Sequence, residues 1–149
     1  MKIGSAENVI SEITFVYNQD DITENAALTP LLQDCVEQLI EYFNGRRRSF
    51  DLPVYQLGTP FQSRVWSELL NIGYGKTISY MDLAKRLGDP KAIRAAASTN
   101  GKNNICIIVP CHRVIGSNRS LVGYAGGLWR KKWLLDHENK IANGVQTLF

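Results

Sequence analysis

Asn103-Asn104-Ile105-Cys106-Ile107-Ile108-Val109-Pro110-Cys111-His112-Arg113-Val114-Ile115 is the stretch on which the reading of this chain turns. Its apolar centre, residues 105–109, is β-branched and too brief for a helix, and predicts a short buried strand. Pro110 cannot donate to a ladder and closes that strand. A thiol, an imidazole and a guanidinium follow directly: Cys111, His112 and Arg113. A thiol of ordinary pKa, about 8.5, becomes a thiolate near neutrality only beside a base or a positive charge. This tripeptide offers both, at what reads as the exposed end of a rigid element, where functional groups are best held. Taken alone, a Cys-His pair more often means a buried thiol beside surface charges; the rest of the chain changes that balance.

The 149 residues suffice for one ordinary domain or two small lobes, and 44% hydrophobic with 21% charged residues reads as a soluble globular protein. No apolar run approaches the roughly 18 residues of a membrane span, and the first residues lack the apolar stretch of a secretory signal. Three cysteines at irregular spacing argue for a reducing compartment rather than a disulfide framework. With two histidines and no Cys-x-x-Cys, no metal site is expected. Charge is uneven. Residues 1–60 carry four Lys/Arg against nine Asp/Glu, net −5, and residues 61–149 carry thirteen against five, net +8. The basic second part suggests a polyanionic partner.

Residues 9–17 predict a strand and 18–25 a polar loop. Leu28, Leu32, Val36, Leu39 and Phe43 recur at helical spacing, with Pro30 near the start and Gly45 past the end. Arg46–Arg48 reads as a solvated connector and 51–59 as the linker between the charge lobes. Thr59-Pro60-Phe61-Gln62 is a capping box opening a helix whose face is Phe61, Val65, Leu69 and Ile72. Ser79-Tyr80-Met81-Asp82 opens another, stopping at Gly88, and Asp89-Pro90 caps a third over 91–99. The last two match a helix-turn-helix. Its second helix is nearly all small residues with one arginine, Arg94. That suits close approach to a narrow groove, with Arg94 projecting into the duplex. Alanines packed on a neighbouring helix explain the pattern equally well. Residues 116–120 read as a turn and 121–127 as a glycine-rich loop without the spacing of a nucleotide fingerprint. A final helix over 128–138 should place Trp133 and Leu134 in the core, with Glu138 either orienting His112 or lying on the surface. The tail from Asn143 should fray.

Val109-Pro110-Cys111-His112-Arg113-Val114 resembles the signature of the O6-alkylguanine-DNA alkyltransferases, also called methylated-DNA–protein-cysteine methyltransferases. Gly58-Thr59-Pro60-Phe61-Gln62, Ile78-Ser79-Tyr80, Arg94, Asn103, Gly123 to Leu128 and Lys132 to Leu135 with His137-Glu138 fall in that family's order and spacing. The resemblance implies an α+β fold. Residues 1–53 would form a short ribonuclease-H-like α/β lobe. Residues 54–149 would form a mostly helical DNA-binding and active-site domain with a winged-helix-like helix-turn-helix. It implies repair of duplex DNA: O6-alkylguanine is flipped out through the minor groove, and its alkyl group passes irreversibly, once per molecule, to the protein's own cysteine.

Carried over by position, Cys111 is the acceptor, His112 the base acting through a water, and Glu138 the group that polarises it. Tyr80 donates to guanine N3, and Asn103 braces the turn bearing Cys111. The Val114 backbone, Tyr124 and the Ala125 amide line the guanine pocket. Arg94 fills the gap left by the base, with Ala95, Tyr80 and Arg113 also at the DNA. No cofactor, no metal and no membrane partner is implied, and the expected protein is a monomer of the cytoplasm (the nucleus in a eukaryote). Asn104 stands where the family often has proline, and Arg119 where it often has glycine. The N-terminal lobe is short by about one strand. Two other readings remain at this stage: a lesion sensor that flips alkylated bases without reacting, and a thiol hydrolase using Cys111 and His112 over many turnovers.

Overall fold

The computed structural model describes residues 1–17 and 28–144. These divide into two compact units, Met1–Gln56 with Asn104–Cys106, and Leu57–Asn103 with Ile107–Phe149. The expected polar loop over 18–25 and the tail beyond Gly144 lie outside the described residues.

In the first unit, β1 (Lys2–Ala6) and β2 (Val9–Thr14) pair antiparallel, with Lys2 opposite Thr14 and Ala6 opposite Val9. The sequence reading gave no strand to residues 2–6, whose one large apolar residue, Ile3, leaves pairing rather than periodicity to define it. β2 stops at Thr14, short of the expected Tyr17. Its other edge is occupied by single parallel bridges, Ile10 to Val54 and Ile13 to Ile105. α1 (Pro30–Phe43) is capped by Thr29, whose hydroxyl accepts from the Leu32 N–H. Its buried face is Cys35, Gln38, Leu39 and Tyr42, so the expected stripe of Leu28, Leu32, Val36, Leu39 and Phe43 is displaced and shares only Leu39. The buried Gln38 amide is satisfied by both backbone groups of Asp51, accepting from N–H at 2.9 Å and donating to C=O at 3.1 Å. That polar stitch is invisible to a pattern of apolar residues.

In the second unit, α2 (Pro60–Leu69) opens with the expected capping box of Thr59 and Gln62 and buries Val65, Trp66 and Leu69. The Trp66 indole donates to the Thr99 carbonyl at 3.1 Å, which fixes α2 against α4 (Ile93–Gly101). β3 (Ile78–Ser79) leads into α3 (Tyr80–Arg86), capped reciprocally by Ser79 and Asp82. α3 ends at Gly88, where φ is +87°, a backbone state that favours glycine. The third predicted helix is split: Asp89 caps a single 3-10 turn, Pro90–Ala92, before α4 begins. β4 (Val114–Ile115) runs parallel to β3, and α5 (Leu128–Asn143) extends five residues past the predicted end at 138.

Residues 105–109 are buried as expected but do not form the expected strand. Of these five only Ile105 pairs, and the chain then turns, with Ile107 at φ +73° although it is 1% exposed. A β-branched residue there is strained, so burial of residues 105–109, all in the core, holds a turn that propensity opposes. Of the two departures from the family pattern, Asn104 gains a local reason and Arg119 a local strain. The Asn104 N–H, which a proline would lack, donates to the Gln56 Oε1 at 2.9 Å. Arg119 adopts φ +67°, the region where glycine is unstrained. Trp133, expected in the core, is 47% exposed and stacks on His137 at 4.7 Å. Leu134 is buried as expected, and Leu135 takes the place expected of Trp133.

Because Ser79 caps the helix whose first residue is Tyr80, Ser79→Ala should lower unfolding stability by about 1 kcal/mol. Urea titration reads this, and an unchanged midpoint would contradict the capping role.

Candidate active site

Cys111–Arg113 forms one 3-10 turn entered from Pro110. Two asparagine amides hold the backbone around it. Asn103 Nδ2 donates to the Val109 carbonyl at 2.8 Å, and Asn100 Nδ2 donates to the Cys111 carbonyl at 3.3 Å. Cys111 is 4% exposed, which corrects the expectation of an exposed thiol: the turn folds inward instead of ending a strand at the surface. Burial alone opposes a thiolate, so the surroundings must supply a base and positive charge.

They do. His112 is fully buried, and its Nε2 lies 2.7 Å from Glu138 Oε2. Arg113 donates through Nε to Glu138 Oε1 at 2.8 Å and through a second nitrogen to Oε2 at 3.1 Å, and to the Ile72 carbonyl at 2.6 Å. A fourth donor reaches the carboxylate, the Gly75 N–H at 3.3 Å. Gly75 has φ +72°, and a Cβ there would meet Ala142 at 2.6 Å, so only glycine lets this turn approach α5. Burial pushes the Glu138 carboxyl upward, but His112 and Arg113 outweigh it and hold it well below the usual carboxylate range. For His112, burial pushes the imidazole pKa down; Glu138 pulls it up, and the charges of Arg113 and Lys131 oppose that pull. Since Arg113 is permanently charged, it keeps Glu138 ionised beside a neutral imidazole. Nε2 therefore carries the proton given to Glu138. Nδ1, buried without a hydrogen-bond partner, is left as the basic nitrogen.

Tyr80 lies half-buried at the start of α3, and its hydroxyl donates to the Val122 carbonyl at 3.1 Å. Burial, then the proximity of Cys111, push its phenol pKa up against a hydrogen bond with Asn100. It stays a donor. Lys131 is 0% exposed, with Nζ donating to the carbonyls of Val114 (2.7 Å), Val122 (3.0 Å) and Gly123 (3.4 Å). Its pKa is pushed down to about 8 by burial, with Cys111 pulling the other way.

The structure thus gathers Cys111, His112, Glu138, Tyr80, Asn103 and Val114 in one unit. Tyr124 and Ala125 sit in the loop entered through Val122. Arg94 and Ala95 are exposed on α4, while Ala96, Thr99 and Asn100 of the same helix are buried; the small residues serve both a packed and a free face. Arg113, expected at the DNA, is 6% exposed and spent on Glu138 and Ile72. Its guanidinium is an internal counterion. Among the described residues no group of three or more His, Cys, Asp or Glu is placed to hold a metal. Sequence reasoning missed Asn100, Gly75 and Lys131. For Lys131 a signal existed: it shares the i, i+3, i+4, i+7 stripe of Leu134, Leu135 and Glu138, the buried face of α5.

The second unit combines a helix-turn-helix, α3 and α4, with a buried thiol followed directly in the chain by a buried His–Glu pair. Two family descriptions match: 6-O-methylguanine DNA methyltransferase, DNA binding domain, over residues 60–140, and the ribonuclease-like domain of the same proteins over 3–56. The constitutive methylated-DNA–protein-cysteine methyltransferase of Bacillus subtilis is 53% identical over 98 residues, 66% of this chain and 59% of that protein. The Shigella flexneri methylated-DNA–protein-cysteine methyltransferase is 42% identical over 134 residues, 89% of this chain and 77% of that one. The crystal structure of Mycobacterium tuberculosis OGT in complex with DNA matches with a TM-score of 0.81 at 39% identity, covering 93% of this chain and 86% of that chain. This chain belongs to the 6-O-methylguanine DNA methyltransferase family.

Both ionisable partners of the relay make acid destabilising. The folded pKa of Glu138 lies below its unfolded value, so its contribution is complete above about pH 4.5 and is lost as pH falls below that. His112 is likewise depressed from 6.5, so stability should already decline below about pH 6.5. Urea midpoints should fall in these two windows; a flat profile from pH 7 to 4 would contradict the buried relay. Glu138→Gln, which strands the Arg113 charge, should cost about 3–5 kcal/mol and abolish the lower window.

Proposed function

We propose that the protein repairs duplex DNA by drawing O6-alkylguanine out of the helix through the minor groove and transferring the alkyl group to Cys111. The observation that carries this reading is the His112–Glu138 pair at 2.7 Å, which leaves Nδ1 as a base on the residue next to the thiol. His112 Nδ1 takes the thiol proton through a water. The thiolate attacks the carbon bound to O6, the new C–S bond forms as the C–O bond breaks, and the electron pair leaves with the purine. Tyr80 turns its hydroxyl to guanine N3 and stabilises the departing charge. The proton removed from sulfur returns to the base, so thiol plus O6-alkylguanine becomes thioether plus guanine. Water does not cleave the thioether, and each molecule reacts once.

The exposed face of α4 is the surface we assign to the duplex, with Ala95 permitting close approach and Arg94 entering the stack. The +8 charge of residues 61–149 favours a polyanion. Val114, Tyr124 and Ala125 line the pocket for the extruded base. The protein acts as a monomer in a reducing compartment such as the cytoplasm, consistent with three free cysteines; among the described residues no helix is long and apolar enough to cross a membrane.

Exposure to duplex DNA carrying O6-methylguanine should add one methyl group, mapped by peptide mass spectrometry to Cys111 and absent in Cys111→Ser. Lesion binding without transfer would replace this reading with a sensor, and repeated turnover with a hydrolase. His112→Ala should slow transfer by about 10²-fold or more while duplex affinity holds. Arg94→Ala should slow repair in duplex DNA more than in single strands. Equal effects on both substrates would remove Arg94 from base extrusion.

A further inference from the structure

The buried ammonium of Lys131 makes no hydrogen bond to the relay just described, yet it donates to three backbone carbonyls from two segments. One acceptor, Val114 O, belongs to β4 directly after the Cys111–Arg113 turn; the other two, Val122 O and Gly123 O, belong to the loop that leads to Tyr124 and Ala125. No helix or strand includes residues 121–127, so this loop owes its place to such contacts. The Val122 carbonyl has a second donor, the Tyr80 hydroxyl at 3.1 Å. The Tyr80 ring itself lies 5.9 Å from the Lys131 nitrogen.

We propose that Lys131 is the positioning residue of the reaction: its ammonium seats the 121–127 loop against β4, and it keeps the Val122 carbonyl hydrogen-bonded when Tyr80 leaves that carbonyl for the incoming base. The inference rests on the transfer reaction proposed above and deepens it. Tyr80 is parked on the loop in the free protein and must be released to donate to guanine. With Lys131 in place the Val122 carbonyl keeps a charged donor when Tyr80 departs, and the hydroxyl is free to exchange one acceptor for another. Charge-assisted bonds to three carbonyls also satisfy all three ammonium protons, which is why a lysine can lie at 0% exposure here. The groups facing it agree with retention of its charge. Cys111 as thiolate attracts it, the Tyr80 ring presents its face, and His112 is held neutral in part by it.

The test compares Lys131→Met and Tyr80→Phe with the unmodified protein by two readouts. The first is chymotryptic nicking after Leu121 or Tyr124 without DNA, which reports loop seating and does not depend on the chemistry. The second is single-turnover methyl transfer at saturating lesion DNA, with duplex affinity measured separately. Lys131→Met should be nicked at least about 10-fold faster and should transfer at least about 10-fold more slowly. Its duplex affinity should stay within about 3-fold, because a residue without exposure cannot touch phosphate. Tyr80→Phe keeps the ammonium and should leave nicking within about 3-fold. Nicking of Tyr80→Phe at 10-fold or more would place the loop on Tyr80 and overturn the proposal, whether or not Lys131→Met folds. Unchanged nicking in folded Lys131→Met, or loss of affinity matching the loss of rate, would also overturn it. If the unmodified protein transfers no methyl group, the transfer reading fails while the nicking comparison still decides the seating of the loop.

Discussion

One buried carboxylate sets the geometry of everything around the reactive thiol. Glu138 gathers four donors from three places in the chain: the imidazole of His112, two nitrogens of Arg113 and the amide of Gly75. A carboxylate taken out of water is destabilising unless its lone pairs are all engaged, so these groups cannot move independently. α5 must bring Glu138 to the turn, Gly75 must lack a Cβ for its loop to come near, and Arg113 must point inward. The orientation of His112 is then a consequence. The same permanent guanidinium charge that keeps Glu138 ionised lets the imidazole remain neutral, which is the state a base requires.

Around that relay, single elements join solvent-facing and thiol-facing surfaces. α4 shows Arg94 and Ala95 to solvent and turns Asn100 inward to the Cys111 carbonyl. α3 begins with Tyr80, which reaches the Val122 carbonyl. Interiors packed at crystal-like density transmit small shifts, so a duplex on α4, the surface proposed for it, would act on the cysteine through one rigid helix. Burial of Cys111 has the same logic. A thiolate formed in a water-poor site meets few competing electrophiles, and the charges of Lys131 and the relay count for more than they would in water.

Much of this was legible in the sequence where local chemistry decides the outcome. The capping boxes at Thr59 and Ser79, the glycine that ends α3 and two core positions of α2, Val65 and Leu69, follow from hydrogen bonds and spacing within a few residues, while Trp66 takes the buried place expected of Phe61. Cys111 and His112 stood out by local thiol chemistry, and only the resemblance to a family gave them and Glu138 their expected roles; spacing alone favoured a surface place for Glu138. What failed to read was set by partners distant in sequence. Residues 105–109 carry the composition of a strand yet form a turn, because burial outweighs the preference of Ile107. Arg113 looks like a phosphate ligand and is an internal counterion. Trp133 has the composition of core and lies half out of it, since the stripe at Lys131, Leu134, Leu135 and Glu138 occupies the inner face of α5. A lysine on an apolar stripe was the one clue present and unread.

The tautomer of His112 tests the account most directly. Nitrogen-15 NMR of the imidazole at pH 7 should show a neutral ring protonated at Nε2, with Nδ1 unprotonated, and this pattern should vanish in Glu138→Gln if that variant folds. A ring protonated at Nδ1, or a doubly protonated imidazolium in the unmodified protein, would contradict the claim that Glu138 fixes His112 as the base.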